Sequence, residues 1–325
     1  MNYLQEEGFV LIGFGVVIIA LLGLDLYVFN KEDHKVSTRE ALNWSIVWIS
    51  IGLLFGLYVY LDLGLEKATQ YYSAFLIEKA LSVDNLFVFI LIFRYFKVPD
   101  KYHHKVLFYG ILGAIVMRAI FIFAGVKIIS LTYLPTFFLG TLEVNVNVVM
   151  TLFGFFLLIA GIKSFRQEDD DESQDFSKSF GTRLIHKVFR VDPNYHGGKF
   201  FVKINGKRMA TQLLVVVAVV EFTDLLFAVD SIPAIFAISD DPIILYTSNI
   251  FAILGLRALY FLLANSFDMF HYLKHGLSFI LGFIGIKMIL SSIYHLPSPI
   301  SLSVVGGVLA ISILFSLRKY QSEQA

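Results

Sequence analysis

Long apolar runs interrupted by carboxylates restrict this chain more than any other feature. Runs of about 20 apolar residues can cross the hydrocarbon core of a bilayer as helices. Nine occur, near 9–30, 42–61, 71–94, 105–126, 147–165, 210–238, 243–264, 275–293 and 300–317. Two of them hold acids at matching places: Glu78-Lys-Ala-Leu-Ser-Val-Asp84-Asn85 and Asp224-Leu-Leu-Phe-Ala-Val-Asp230-Ser231. An ionised carboxylate in hydrocarbon costs roughly 2.5–3.5 kcal/mol on insertion scales. Acids placed there twice with one spacing therefore point to a task.

Composition agrees with the runs. The 325 residues are 57% hydrophobic and 16% charged, against about a quarter charged in soluble domains. Acidic and basic residues balance, so nothing global attracts nucleic acid. The absence of cysteine excludes disulfides, iron–sulfur clusters, thiolate metal sites and cysteine nucleophiles. No Gly-x-x-x-x-Gly-Lys-Ser/Thr stretch occurs, so ATP hydrolysis is not expected. Residues Met1 to Glu7 lack a basic leader, and the run Phe9 to Phe29 exceeds a signal-peptide core; a retained transmembrane helix is expected there.

Orientation follows from the basic residues of the connections. Taken alternately, one set of loops and ends holds 20 Lys and Arg, ten of them in 163–209, and the other set holds 3. This asymmetry predicts the N-terminus outside and the C-terminus inside. The longest connection, 166–209, is then cytoplasmic and offers a surface to protein partners, its acidic run reading as a solvated linker in preference to a metal-sensing tract. It opens on an acidic run, Glu168 to Glu172, and Asn205-Gly206 predicts a type I′ hairpin. The segment 127–146, with Pro135, reads as re-entrant or interfacial.

The motif belongs to a longer repeat. Arg118-Ala-Ile-Phe-Ile-Phe-Ala is matched by Arg257-Ala-Leu-Tyr-Phe-Leu-Leu-Ala in the run after each acid helix, and Gly161-Ile-Lys163 by Gly285-Ile-Lys287 in the run after that. Three helices recurring in order make the second copy enter from the opposite side. The expected fold is one all-α transmembrane domain of nine helices: repeat 1 at 71–165, repeat 2 at 210–293, and flanking helices at 9–30, 42–61 and 300–317. Inverted repeats are common in secondary transporters, with the site between the halves.

The intramembrane acids are Asp25, Glu78, Asp84, Glu221, Asp224 and Asp230, set against Lys79, Arg118 and Arg257. The charge deficit would be closed by a divalent cation and a proton, or by raised carboxylate pKa values. With Asn85 and Ser231 the donors are hard oxygens, suited to Mg²⁺, Ca²⁺ or Mn²⁺. All eight histidines lie in loops or at span ends, which disfavours zinc, copper and an intramembrane metalloenzyme. The structural alternative for Glu78 is a pair with Lys79 near the span end, and for Asp25 a place at the membrane surface. Arg118, Arg257 and Lys79 are expected to neutralise and orient acids. On an ideal helix Asp84 and Asp230 fall about 120° from Glu78 and Asp224. Either they serve a second role or the helices break beside them, which Pro233 favours.

Phe75 to Phe89 and Glu221 to Phe236 resemble the two hallmark segments of the TerC/Alx family, as do Val116 to Phe121 and Phe251 to Tyr260. Gln212 departs from the Pro usual after Ala-Thr. The resemblance implies an integral protein of the bacterial inner membrane linked to tellurium resistance and manganese homeostasis. It implies Mn²⁺ export from the cytoplasm through Glu78, Asp84, Asn85, Glu221, Asp224, Asp230, Ser231 and Asp25. Carboxylates that exchange a metal for protons would couple such export to a proton gradient. No enzyme activity and no resident cofactor are expected; lipid and the divalent cation are the partners. The rival expectation is a non-transporting membrane partner in a tellurite or metal stress-resistance complex.

Overall fold

The computed structural model describes residues 13–24, 36–139, 142–166, 176–204, 206–265, 272–294 and 296–324. Asp25 and the acidic run at 168–172 lie outside them, as do the side chains of Asp84 and Asp230. The described chain is mostly helical. In order come α1 (Gly13–Leu24), α2 (Thr38–Tyr95), α3 (Asp100–Leu131), β1 (Phe137–Leu139), β2 (Leu142–Val144), α4 (Val148–Arg166), α5 (Phe180–Val188), β3 (Val191–Asp192), β4 (Phe201–Ile204), β5 (Lys207–Thr211), α6 (Gln212–Phe236), α7 (Pro242–Ile253), α8 (Leu256–Asn265), α9 (Leu273–Leu290) and α10 (Ser298–Gln324).

The helices do not divide as the apolar runs do. Among the described residues five helices are long and apolar enough to cross a membrane, or six if α7 and α8, bent by 42° at their break, form one span. The runs 42–61 and 71–94 are the two arms of one 58-residue helical stretch, α2. A straight helix of that length would reach roughly 87 Å, nearly three times the hydrocarbon core. It is not straight. Gly64 has φ 85° and ψ −179°, a backbone that only glycine adopts readily, and the chain turns there. Tyr71 and Tyr72 donate hydrogen bonds to the carbonyls of Gly52 and Leu53 at 3.0 and 2.9 Å, tying the two arms side by side. Gly52 admits the ring of Phe75, whose Cε2 would stand 2.6 Å from a Cβ.

The expected breaks beside Asp84 and Asp230 are not found. The backbone is helical through both positions, and Pro233 sits inside α6. The break instead falls between α7 and α8, where Leu254 is extended and Gly255 has φ 80°. The segment 127–146 is part helix and part strand. Helix α3 continues to Leu131, and an antiparallel β1–β2 pair follows, anchored by a bridge between Tyr133 and Asn147.

Helix α2 packs on α7 and α8, α3 on α6, and α4 on α9. Exchanging the first set, α2 to α4, for the second, α6 to α9, turns the first packing into the second and leaves α4–α9 unchanged. The outer faces are hydrocarbon: Leu61 is 76% exposed, and Leu54, Leu152 and Ile159 are also exposed. A short sheet of order β3-β5-β4 precedes α6, and Ile204 pairs with Lys207 in the antiparallel β4–β5 hairpin.

Candidate functional site

Glu78 follows from its place on α2, in the arm that α7 and α8 cover. It is fully buried, and its carboxylate is shared between two helices. Arg118 of α3 donates from Nη1 to Glu78 Oε1 and to Asn249 Oδ1, the latter at 2.7 Å. Asn249 of α7 donates back from Nδ2 to Glu78 Oε2 at 2.9 Å. Three buried polar side chains from three helices thus close a ring. Ser82, one turn after Glu78, donates to Oε1 at 3.4 Å. Charges taken out of water this completely persist only when paired and hydrogen-bonded.

The other end of the guanidinium serves the second motif. Arg118 Nη2 lies 3.7 Å from Asp224 Oδ1, an ion pair without a hydrogen bond. The matching acids of the two motifs, Glu78 and Asp224, therefore meet at one arginine. Asp224 is buried, as are Asn85 and Ser231, and the Ser231 hydroxyl has no hydrogen-bond partner among the described residues. Glu221, three residues earlier, rests its carboxylate on Gly113 of α3, where any Cβ would collide with it. Arg257 is buried with its guanidinium 5.8 Å from the centre of the Phe108 ring.

Lys79 takes a role that adjacency to Glu78 concealed. Its Nζ donates to the carbonyls of Ala252 and Leu254, at 2.9 and 3.3 Å. These lie at the end of α7, where the break leaves carbonyl groups without intrahelical partners. A lysine there also meets the negative end of the helix dipole. Gly255 lets the break form: a Cβ on it would run into the indole of buried Trp48.

The two acid positions are unequally furnished. Asn249 stands eight residues before Arg257; Gly110 stands eight before Arg118. Where Asn249 bonds Glu78, Gly110 offers no side chain, and a small cavity opens there, lined by Gly110, Ala114, Leu86, Val220, Leu256 and Asp224 among others. Sequence reasoning missed Asn249, Gly110 and Gly113. The signal for Asn249 was its place in a polar trio, Thr247-Ser248-Asn249, inside an apolar run.

Among the described residues no three His, Asp or Glu side chains stand close enough together to hold a metal ion. Glu78 is occupied by Arg118 and Asn249, and Asp25 and the side chains of Asp84 and Asp230 fall outside the description.

Helices with hydrocarbon outside and paired charges inside define an integral membrane protein of the helical-bundle class. The chain belongs to the TerC family: the family model described as "Integral membrane protein TerC family" matches residues 63–324. It is 44% identical over 307 residues to "Uncharacterized membrane protein STKORF319" of Myxococcus xanthus, covering 94% of this chain and 91% of that one. It is similar to proteins named "Putative membrane-bound redox modulator Alx". That of Photorhabdus laumondii is 42% identical over 322 residues, 96% of each chain. That of Escherichia coli is 41% identical over 313 residues, 94% of this chain and 92% of the relative. No solved structure matches the chain.

Proposed function

We propose that this protein exports Mn²⁺ from the cytoplasm across the bacterial inner membrane, with its N-terminus outside and nine crossings built on an inverted repeat. The observation that carries the reading is the convergence of Glu78 and Asp224 on Arg118. Two carboxylates share one guanidinium, so a cation that reaches them meets negative charge that Arg118 alone does not balance. Glu221, about one turn before Asp224 on α6, adds another acid against Gly113 of α3. Asp84, Asp230 and Asp25 complete the proposed path, with Asn85 and Ser231 as neutral oxygen donors. All are hard donors, which favours Mn²⁺, Mg²⁺ or Ca²⁺ over softer metals. Protons returning on the same carboxylates would drive the cycle.

The exchange-symmetric packing of α2 with α7–α8 and of α3 with α6 supports an inverted repeat. A redox role, which the name of the Alx relatives suggests for them, would need a partner or cofactor here, because the chain has no thiol of its own. One observation favours the non-transporting alternative: both carboxylate oxygens of Glu78 are already bonded, one by Arg118 and the other by Asn249.

Proteoliposomes separate the two. The transport reading expects Mn²⁺ flux that rises with an opposing proton gradient and is lost in Asp84→Asn and Asp230→Asn proteins that still fold and insert. Normal flux in both variants, or none in the native protein, would sink it.

A further inference from the structure

Helix α5 carries hydrocarbon on a face that a solvated loop helix would keep polar. Phe180, Leu184 and Val188 are 56%, 45% and 61% exposed, and their spacing of four places them in one stripe. The adjoining face is taken. A Cβ on Gly181 would stand 2.6 Å from the carbonyl oxygen of Ala218 in α6, and Phe180 stacks on Phe222 with ring centres 4.5 Å apart. Ala218 lies about 9 Å along α6 from its start at Gln212, so α5 lies across the end of a membrane-crossing helix. The stripe runs on through Phe222 to Leu226, one turn further, which is 54% exposed on the outer surface of α6.

The charge around the stripe has one sign. From Phe176 to Val191 the chain contains Lys178, Arg183, Lys187 and Arg190 and no Asp or Glu. Arg183, Lys187 and Arg190 are exposed. Arg183 and Lys187 follow Phe180 and Leu184 by three positions, which sets them along the edge of the stripe. A helix with an apolar face and a basic flank lies in the plane of the membrane interface, its apolar side in the headgroup–acyl boundary. Anionic headgroups attract the basic flank at that depth.

We propose that α5 is an interfacial helix that seats Phe180, Leu184 and Val188 in the membrane and binds anionic phospholipid headgroups through Arg183, Lys187 and Arg190. Lipid is the occupant because the stripe is continuous with the hydrocarbon face of α6. A protein partner covering it would have to displace bilayer from that helix as well.

The chain has no native cysteine, so single reporters can be placed cleanly. A nitroxide at Leu184→Cys is compared with one at Lys203→Cys, on the exposed side of β4, in nanodiscs of phosphatidylcholine with and without phosphatidylglycerol. At 184, collisions with oxygen should exceed those with a water-soluble nickel chelate, and at 203 the order should reverse. The 184 label should move deeper with phosphatidylglycerol, and the Arg183→Gln, Lys187→Gln double variant should erase that shift. Val188→Cys supplies the same reading if a label at 184 disturbs folding. Chelate access at 184 equal to that at 203, or equal depth in both lipids, overturns the proposal.

Discussion

Gly161 and Gly285 make the same contact from opposite sides of one helix pair. A Cβ on Gly161 would stand 2.8 Å from both the carbonyl oxygen of Ser278 and the amide nitrogen of Gly282 in α9. A Cβ on Gly285 would stand 2.7 Å from both the carbonyl oxygen of Gly154 and the amide nitrogen of Leu158 in α4. One offset, the one that carries Gly161-Ile-Lys163 onto Gly285-Ile-Lys287, carries each contact onto the other. Close backbone approach through small residues is how helices associate in lipid, where no hydrophobic drive separates them from the solvent.

That contact tolerates no methyl group, because the atoms in the way are backbone. Gly161→Ala and Gly285→Ala should each destabilise the folded protein by about 1–3 kcal/mol, the usual cost of overpacking. Thermal unfolding in detergent should show similar losses for both. Gly282→Ala, with nothing within 4 Å of its Cβ position, should lose much less.

Arg118 should be harder to remove than to remove together with Glu78. Arg118→Met strands a buried carboxylate and should cost about 3–5 kcal/mol. Adding Glu78→Gln should recover part of the loss, because a neutral amide can bond Asn249 without a counter-charge. Asn249→Ala should cost about 1–3 kcal/mol by leaving Glu78 Oε2 without its buried donor. Unfolding of the single and double variants in one detergent gives the coupling directly.

Gly113→Ala tests Glu221 without altering any acid. The added methyl falls on the Glu221 carboxylate and must push it away from α3. Mn²⁺ flux in proteoliposomes should drop while the protein remains folded; unchanged flux would remove Glu221 from the proposed path.

Gly255→Ala should open the α7–α8 break. The substitution adds left-handed strain of about 1–2 kcal/mol and a clash with Trp48. Increased hydrogen exchange across 252–257 should report it, and Lys79→Met, which strips the two carbonyls of their donor, should raise exchange over the same residues.

Outside the membrane, Asp192 predicts a pH dependence. It accepts from the Asn194 amide at 2.9 Å, and His196 Nε2 lies 2.8 Å from the same oxygen. These bonds hold its carboxyl below the usual carboxylate range. A depressed acid stabilises the fold above its unfolded pKa, near about 3.9, and that contribution fades as pH falls through the lower folded value. Hydrogen exchange of residues 190–198 should lose protection on acidification below about pH 4, relative to Asp192→Asn at the same pH.

The sequence by itself determined the class of molecule and the material of its interior. Runs such as Leu213 to Val220 are too apolar for water, and an acid such as Glu78 or Asp224 inside one demands a partner. Both conclusions need only composition and order. The β4–β5 hairpin was equally legible, since a tight turn is favoured by two neighbouring residues, Asn-Gly. What tertiary structure decided is everything that depends on which helix lies opposite. Adjacency suggested Glu78 and Lys79 as a pair, yet successive residues of a helix point about 100° apart, so Glu78 faces Arg118 and Asn249 while Lys79 reaches the end of α7. The breaks moved for the same reason. Proline inside α6 only removes one hydrogen bond, whereas Gly64 and Gly255 take a positive-φ backbone that few other residues adopt, and at Gly255 the packed Trp48 leaves no room for a Cβ. The matching acids share a spacing along the chain; that they share one arginine is a property of three packed helices.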